Sequence, residues 1–331
     1  MGSLIGAILC EKYNFVGPSI LSVFYAYHKY FTRVQTHSTI PYQLFDITKS
    51  IPDNLTFPCY IKAPCSAFGV LGFTLKNRKS LECILPLVKK ELPKMNAPLK
   101  QLSQKYFPKS IINFLKKDTM LIEGYRNSKQ ITIEGFVHNG NIYPLFITDT
   151  NFLGNTRCID NFSLPSSVTP KQEHLIKEQT QKDISAIGLN NTFFNVEYWI
   201  TDTDCELIEI NARTAHCFKR LYKKVHNFDV MDELIHLSLG IKPNIPNMKP
   251  TCHALQGNII IQKNGNSSDL FDYTQKSPSN VRFFILPDSP IRSLSEFKSI
   301  LGQFELFGKD YESIKKIADE YRNRSIKKET R

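Results

Sequence analysis

The chain has no membrane-spanning stretch. None of its apolar runs approaches the roughly 20 residues that cross a bilayer. It also has no basic leader: the short apolar patch of MGSLIGAILC soon meets Glu11 and Lys12, so it is not read as a signal peptide. Paired cysteines are missing as well. The eight cysteines stand singly with no C-x-x-C spacing, which argues against a zinc site and fits reduced thiols in a cytoplasmic protein. Acidic residues are in deficit, with 42 Lys and Arg against 31 Asp and Glu and a formal charge of +11. The lysines are nevertheless spread along the chain and no RNA-binding signature is present, so nucleic acid is not an expected partner.

The chain's 331 residues suffice for two or three subdomains. A short helix is expected over 4–18, turning at Gly17-Pro18. A second helix starts at Ser19 as N-cap and carries Ile20, Phe24, Tyr27, Phe31 and Val34 on one stripe, with Lys29 and Arg33 off it. Pro58 opens a strand that ends at Lys62, just before the small-residue loop Cys65-Ser-Ala-Phe68. Residues 79–117 read as helices broken at Pro86, Pro93, Pro98 and Pro108. Strands follow at 120–125, 131–137 and 143–148, the last two joined at Asn139-Gly140. Residues 149–169 lack periodicity and read as a long active-site loop or lid carrying Arg157. Helices are expected over 170–188 and 227–239, strands over 253–262 and 281–286, and helices over 294–303 and 309–324. The tail KKETR reads as frayed.

The stretch NVEYWITDTDCELIEINARTAHCF, residues 195–218, is the most informative. Phe194, Val196, Tyr198 and Ile200 alternate on one side of an Asp-rich break, and Ile208, Ile210 and Ala212 on the other, the pattern of a β-hairpin. A three-residue turn at Asp202–Asp204 sets Thr201 opposite Cys205 and Glu197 opposite Glu209, with Asn211 and Arg213 following on the same face. Facing side chains lie about 4.5–5.5 Å apart at Cβ, and like charges there repel. Two opposed carboxylates therefore need a cation, or one must take a proton. Two carboxylates and an amide oxygen suit magnesium, which completes its shell with water and phosphate oxygens, and Arg213 is a fork-shaped donor for an anion beside it. From spacing alone, a solvated strand face with a surface Glu–Arg pair competes with this reading.

The order of these landmarks resembles the ATP-grasp superfamily, of the carboxylate–amine ligase type. The glutamate on one strand and the E-x-N-x-R run on the next resemble the family's metal signature. That resemblance implies Glu197, Glu209 and Asn211 as metal ligands and Arg213 as the catalytic contact to the transferred phosphoryl group or the substrate. The Gly17-Pro18 turn and the helix bearing Lys29 resemble the entry segment, which implies that Lys29 reaches the nucleotide; His28 replaces the usual acid before it. FPCYIKAPCSAFGV resembles the lid segment whose lysine binds phosphates, here Lys62, with only Gly69 left of its glycines. MLIEGY resembles the hinge between the two halves, implying adenine contacts from Glu123 and Tyr125. Glu134 matches the ribose-side acid.

The implied architecture is α+β, an ATP-grasp fold in which two α+β subdomains grip ATP. The expected division is a short remnant over 1–27, a first grasp part with a small lid over 28–125, a second with the metal hairpin over 126–250, and a C-terminal α+β subdomain over 251–331. With about 17 residues before the Gly-Pro turn, the Rossmann-like front domain of such ligases is expected to be missing or shortened. The implied function joins a carboxylate to an amine through an acyl phosphate, using ATP and magnesium, with manganese as the alternative ion. The alternative is a non-catalytic or degenerate nucleotide-binding protein of the same fold. The carboxylase branch fits less well, because its histidine- and glycine-rich loops are not evident. The expected partners are small-molecule substrates, with neither nucleic acid nor membrane, and a homodimer is allowed.

Overall fold

The computed structural model describes residues 1–66, 69–154, 156–278, 280–291 and 299–327. Ala67 and Phe68 of the loop after Lys62, residues 294–298 of an expected helix and residues 328–331 of the tail lie outside the described residues. In chain order the elements are α1 (Gly2–Tyr13), α2 (Ile20–Tyr27), α3 (Lys29–Gln35), β1 (Tyr42–Asp46), β2 (Cys59–Lys62), β3 (Phe73–Leu75), α4 (Arg78–Tyr106), α5 (Lys109–Leu115) and β4 (Thr119–Gly124). Then come β5 (Lys129–His138), β6 (Asn141–Phe152), β7 (Ile159–Leu164), α6 (Pro170–Ala186), β8 (Thr192–Ile200), β9 (Cys205–Asn211), α7 (Lys219–His226) and α8 (Val230–Ser238). The chain continues through β10 (His253–Ile261), β11 (Gly265–Asn266), α9 (Ser267–Leu270), β12 (Val281–Phe283), β13 (Pro290–Ile291), β14 (Ser299–Gly308) and α10 (Tyr311–Ser325).

Two sheets dominate this α+β arrangement. The smaller has the order β1-β4-β2-β3 and the larger β12-β14-β10-β7-β6-β5-β8-β9, with antiparallel pairing throughout. One face of β5, β8 and β9 buries Ile131, Ile133, Val196, Tyr198 and Ile210 in a core shared with α1, α2 and α6. On the opposite face Phe218, just before α7, and Tyr222 of α7 lie against Phe162 and Phe146. The small sheet buries Ile61 and Ile122 against Leu81, Val88 and Leu92 of α4. Asn139 and Gly140 both take positive φ, the backbone that a tight two-residue hairpin requires.

Four departures from the sequence expectation have physical causes. Ser19 caps the second helix as expected, accepting a 3.2 Å bond from the Ser22 amide, but the helix stops at His28, which is extended. This break resets the helical phase, so Lys29 and Arg33 turn inward and Val34 turns out. The prolines over 79–117 do not break α4, which runs unbroken through Pro86, Pro93 and Pro98. Each proline forfeits the bond to the carbonyl four residues back, and those carbonyls belong to Glu82, Lys89 and Lys94, which are exposed residues. Buried Leu81, Val88, Leu92 and Leu99 hold the helix down along one stripe.

The expected loop over 149–169 contains strand at 149–152 and 159–164. β6 continues to Phe152, and β7 pairs with both β6 and β10. Its polar residues hid it from periodicity, but they are buried and satisfied. Asn151 donates to Asn161 at 2.9 Å, Asn161 donates to Asp160 at 2.6 Å, and Arg322 pairs with Asp160 at 3.1 Å. Finally, residues 299–303 belong to β14, paired with β10, not to a helix.

Candidate active site

The hairpin sets Glu197 directly opposite Glu209. The way it does so differs from the simplest ladder. Ile200, not Thr201, faces Cys205, so the turn is one residue longer than expected. A bulge between Glu197 and Tyr198 on the β8 side takes up that shift, leaving Ile208 unpaired between Leu207 and Glu209. Leu207 rather than Ile208 is therefore the buried apolar residue of that turn of the strand.

Glu197 accepts a 2.9 Å bond from the Gln130 side chain on β5. Glu209 pairs with Lys29 at 3.0 Å and accepts from the Asn211 amide at 3.1 Å. The two carboxylates respond in opposite directions. Burial and then the charge of Glu209 push Glu197 well above the carboxylate range. Burial also pushes Glu209 up, but the ion pair and hydrogen bond from Lys29, with the Asn211 bond, outweigh it and hold Glu209 low. Two carboxylates thus share one ammonium, which sits on Glu209 alone, and the shortfall falls on Glu197. The Asn211 oxygen accepts from Arg213 at 3.3 Å, and the Arg213 guanidinium also reaches the Thr214 carbonyl at 3.0 Å.

This donor set fits a hard divalent cation. Glu197, Glu209 and the Asn211 oxygen lie on adjacent strands of one sheet face, and among the described residues Lys29 is the one cation paired directly with either carboxylate. Among the described residues no group of three or more His, Cys, Asp or Glu could form a protein-only metal cage. An ion here takes the rest of its shell from water or a ligand, the usual manner of magnesium.

Around the pair lies a second set of buried charges. Glu123, at the end of β4, stands between Arg33 and Lys62, at 2.7 Å from each. Burial raises the Glu123 carboxyl, and the two cations outweigh that and hold it low. Burial lowers Lys62 to about 8 despite Glu123 beside it, so the ammonium stays protonated at neutral pH. Lys29 also donates to the Ser66 carbonyl at 2.7 Å, tying α3 to the loop after Lys62.

The remaining expected residues fall on either side of the carboxylate pair. Glu134 pairs across to Asn195, two residues before Glu197, and accepts bonds from the Asn195 amide at 3.1 Å and from the Ala215 backbone N–H. Burial pushes it up to about 7, against those bonds. Tyr125 lies at the other end, with Trp199, two residues after Glu197. The Arg157 guanidinium sits 4.6 Å from the Trp199 ring, 4.9 Å from Tyr125 and 5.5 Å from Phe152. Glu134 and Tyr125 therefore flank the pair on opposite sides, with Glu134 on the Arg213 side. Arg33, Gln130 and Asn195 were missed from sequence. Arg33 had a signal, its spacing of four from Lys29, but the helix break that turns both inward was not visible. Gln130 and Asn195 needed the strand register.

No protein-family model matches the chain, and no curated protein matches it in sequence. Solved structures do match. The chain is similar to phosphoribosylglycinamide synthetase from Anaerococcus prevotii (17% identity, TM-score 0.62, 98% of this chain and 79% of that one). It is similar to L-amino acid ligase from Bacillus licheniformis (16%, TM-score 0.71, 96% and 76%). It is also similar to N5-carboxyaminoimidazole synthetase from Staphylococcus aureus, complexed with ADP (16%, TM-score 0.65, 96% and 76%). These neighbours are ATP-grasp proteins, and the chain described here has the ATP-grasp fold.

Proposed function

We propose that this chain is an ATP-dependent ligase that joins a carboxylate to an amine, and that its nucleotide lies over the Glu197–Glu209 face. The observation that carries this is the directly opposed, half-buried carboxylate pair, of which Glu209 alone is paired directly with Lys29. Glu197, Glu209 and Asn211 would hold magnesium, or manganese, and the ion when bound supplies positive charge against the nucleotide's phosphates. Lys29 and Lys62 are the protein's own phosphate-side cations. Glu123 and Tyr125 take the adenine side, with Trp199 beside Tyr125. Glu134 takes the ribose side, and the bonds it accepts from Asn195 and Ala215 hold it beside the pair.

The reaction asks little covalent work of the protein. A substrate carboxylate oxygen forms a bond to the γ-phosphorus as the bond to ADP breaks. The amine then attacks the acyl carbon, phosphate leaves and the amine gives up a proton. Arg213 stabilises charge on the phosphoryl group and on the acyl phosphate. Positioning and fixed charge carry such transfers. An amino-acid or peptide product is the narrower form of the proposal. An ADP-release screen over paired carboxylates and amines tests it: release that needs both substrates supports ligation.

One observation favours a second reading, nucleotide binding without turnover. Lys62 is locked on Glu123 at 2.7 Å, and the loop after it has little glycine with which to wrap phosphates. Binding of ATP with no substrate-dependent ADP release in the same screen supports this reading.

A further inference from the structure

Arg33 lies where three parts of the site meet, and it is fully buried. Its Nε donates to the Glu123 carboxylate at 2.7 Å, and its Nη2 donates to the Ile208 carbonyl at 2.7 Å. Ile208 is the bulged residue that restores the register and sets Glu209 opposite Glu197. One turn earlier on the same helix, Lys29 grips the Glu209 side chain. Helix α3 therefore holds the backbone before Glu209 with one cation and its carboxylate with the other. Arg33 is a poor device for stability alone. Among the described residues its Nη1 is buried and meets no hydrogen-bond acceptor, and both a buried unpaired donor and a buried ion pair are costly to keep. What it does supply is geometry, because a planar guanidinium fixes two acceptors in one plane, which a lysine cannot do.

We propose that Arg33 is a positioning residue for the cation site: by holding the bulge carbonyl at Ile208 against the hinge acid Glu123, it keeps Glu209 in register with Glu197. The inference rests on the proposed nucleotide and metal reading and adds a residue that touches neither ligand. The bond to Glu123 needs only a charge, whereas the simultaneous bond to Ile208 needs the fork.

The test compares the wild-type chain with Arg33→Lys by titrating ATP with and without magnesium, followed by the fluorescence of Trp199, the only tryptophan in the chain, with thermal melting as a check on folding. Arg33→Lys is expected to raise the magnesium concentration for half-saturation about tenfold, while affinity for ATP without magnesium changes less than about twofold, as expected if one bond of about 1.4 kcal/mol is lost. Arg33→Gln is the second variant. It removes the charge and the fork together, and it is expected to move magnesium dependence in the same direction and at least as far. An unchanged magnesium requirement in either folded variant, or equal loss of affinity with and without magnesium, overturns the positioning role. If the wild-type chain itself shows no magnesium-dependent ATP binding, the functional reading fails instead.

Discussion

Replacing Lys29 by methionine tests the electrostatics of the site directly. The substitution keeps the apolar stem and removes the one ammonium paired with Glu209 among the described residues. Breaking a buried ion pair from one side costs about 3–5 kcal/mol, because the remaining charge is stranded. Lys29 is 10% exposed at its side chain and Glu209 is 23% exposed, so partial hydration puts the loss at the low end, about 3 kcal/mol. Losing the bond to the Ser66 carbonyl adds about 1 kcal/mol. At about 2 °C per kcal/mol for a chain of this size, the melting point should fall by about 8 °C at pH 8.

The pH dependence carries the sign of the argument. In the wild-type protein Glu209 is held below the ordinary carboxylate range. Its stabilisation is therefore present above the unfolded value of about 4.3 and is lost as pH falls through the lower folded value. In Lys29→Met, Glu209 and Glu197 face each other with no ammonium and take up protons at higher pH. The stability gap is widest at the alkaline end of the range and shrinks steadily toward pH 4. Magnesium chloride should restore the variant's melting point more than it raises that of the wild type, since the ion replaces the missing charge. Thermal melting over pH 4–8, with and without magnesium, measures all of this. A gap of the same size at pH 5 and pH 8 would refute the ion-pair reasoning.

Two further predictions follow from the flanks of the pair. Glu134 has a folded pKa raised by burial to about 7, so its ionisation weakens the fold as pH rises from about 4.5 to 7, by about 3 kcal/mol at most. Glu134→Gln keeps an acceptor for the Ala215 amide and should be flatter than wild type in stability over that range; parallel pH profiles count against the buried-acid account. Arg157 lies on the rings of Trp199 and Tyr125, so Arg157→Ala should change the tryptophan emission of the free protein and weaken nucleotide binding about three- to tenfold, within the ~0.5–2 kcal/mol range of cation–π contacts. Identical emission spectra would mean that the stack does not form in solution.

Much of the fold was legible because its signals are local. Alternation around 195–212, Asn139-Gly140, and Ser19 as a cap each act over a few residues. What escaped depends on distant partners. β7 is polar in sequence, and bonds from the distant partners Asn151, Asn258, Tyr311 and Arg322 offset the cost of burying it. Helix α4 keeps its prolines where the residues that lose a bond, Glu82, Lys89 and Lys94, are exposed. The opposition of Glu197 and Glu209 was legible, but the bulge that produces it was not: the longer turn and the extra residue at Ile208 offset each other. Arg33 was hidden by the one-residue break at His28, which no periodicity marks.

The central claim is that the Glu197–Glu209 face binds a nucleotide through a divalent ion. Calorimetric titration of the wild-type chain and Glu209→Ala with ATP, each with and without magnesium, tests it most directly. The account predicts magnesium-dependent binding by the wild type and loss of that dependence in a variant that still melts cooperatively. Equal, magnesium-dependent binding by both proteins, or no binding by the wild type, contradicts it.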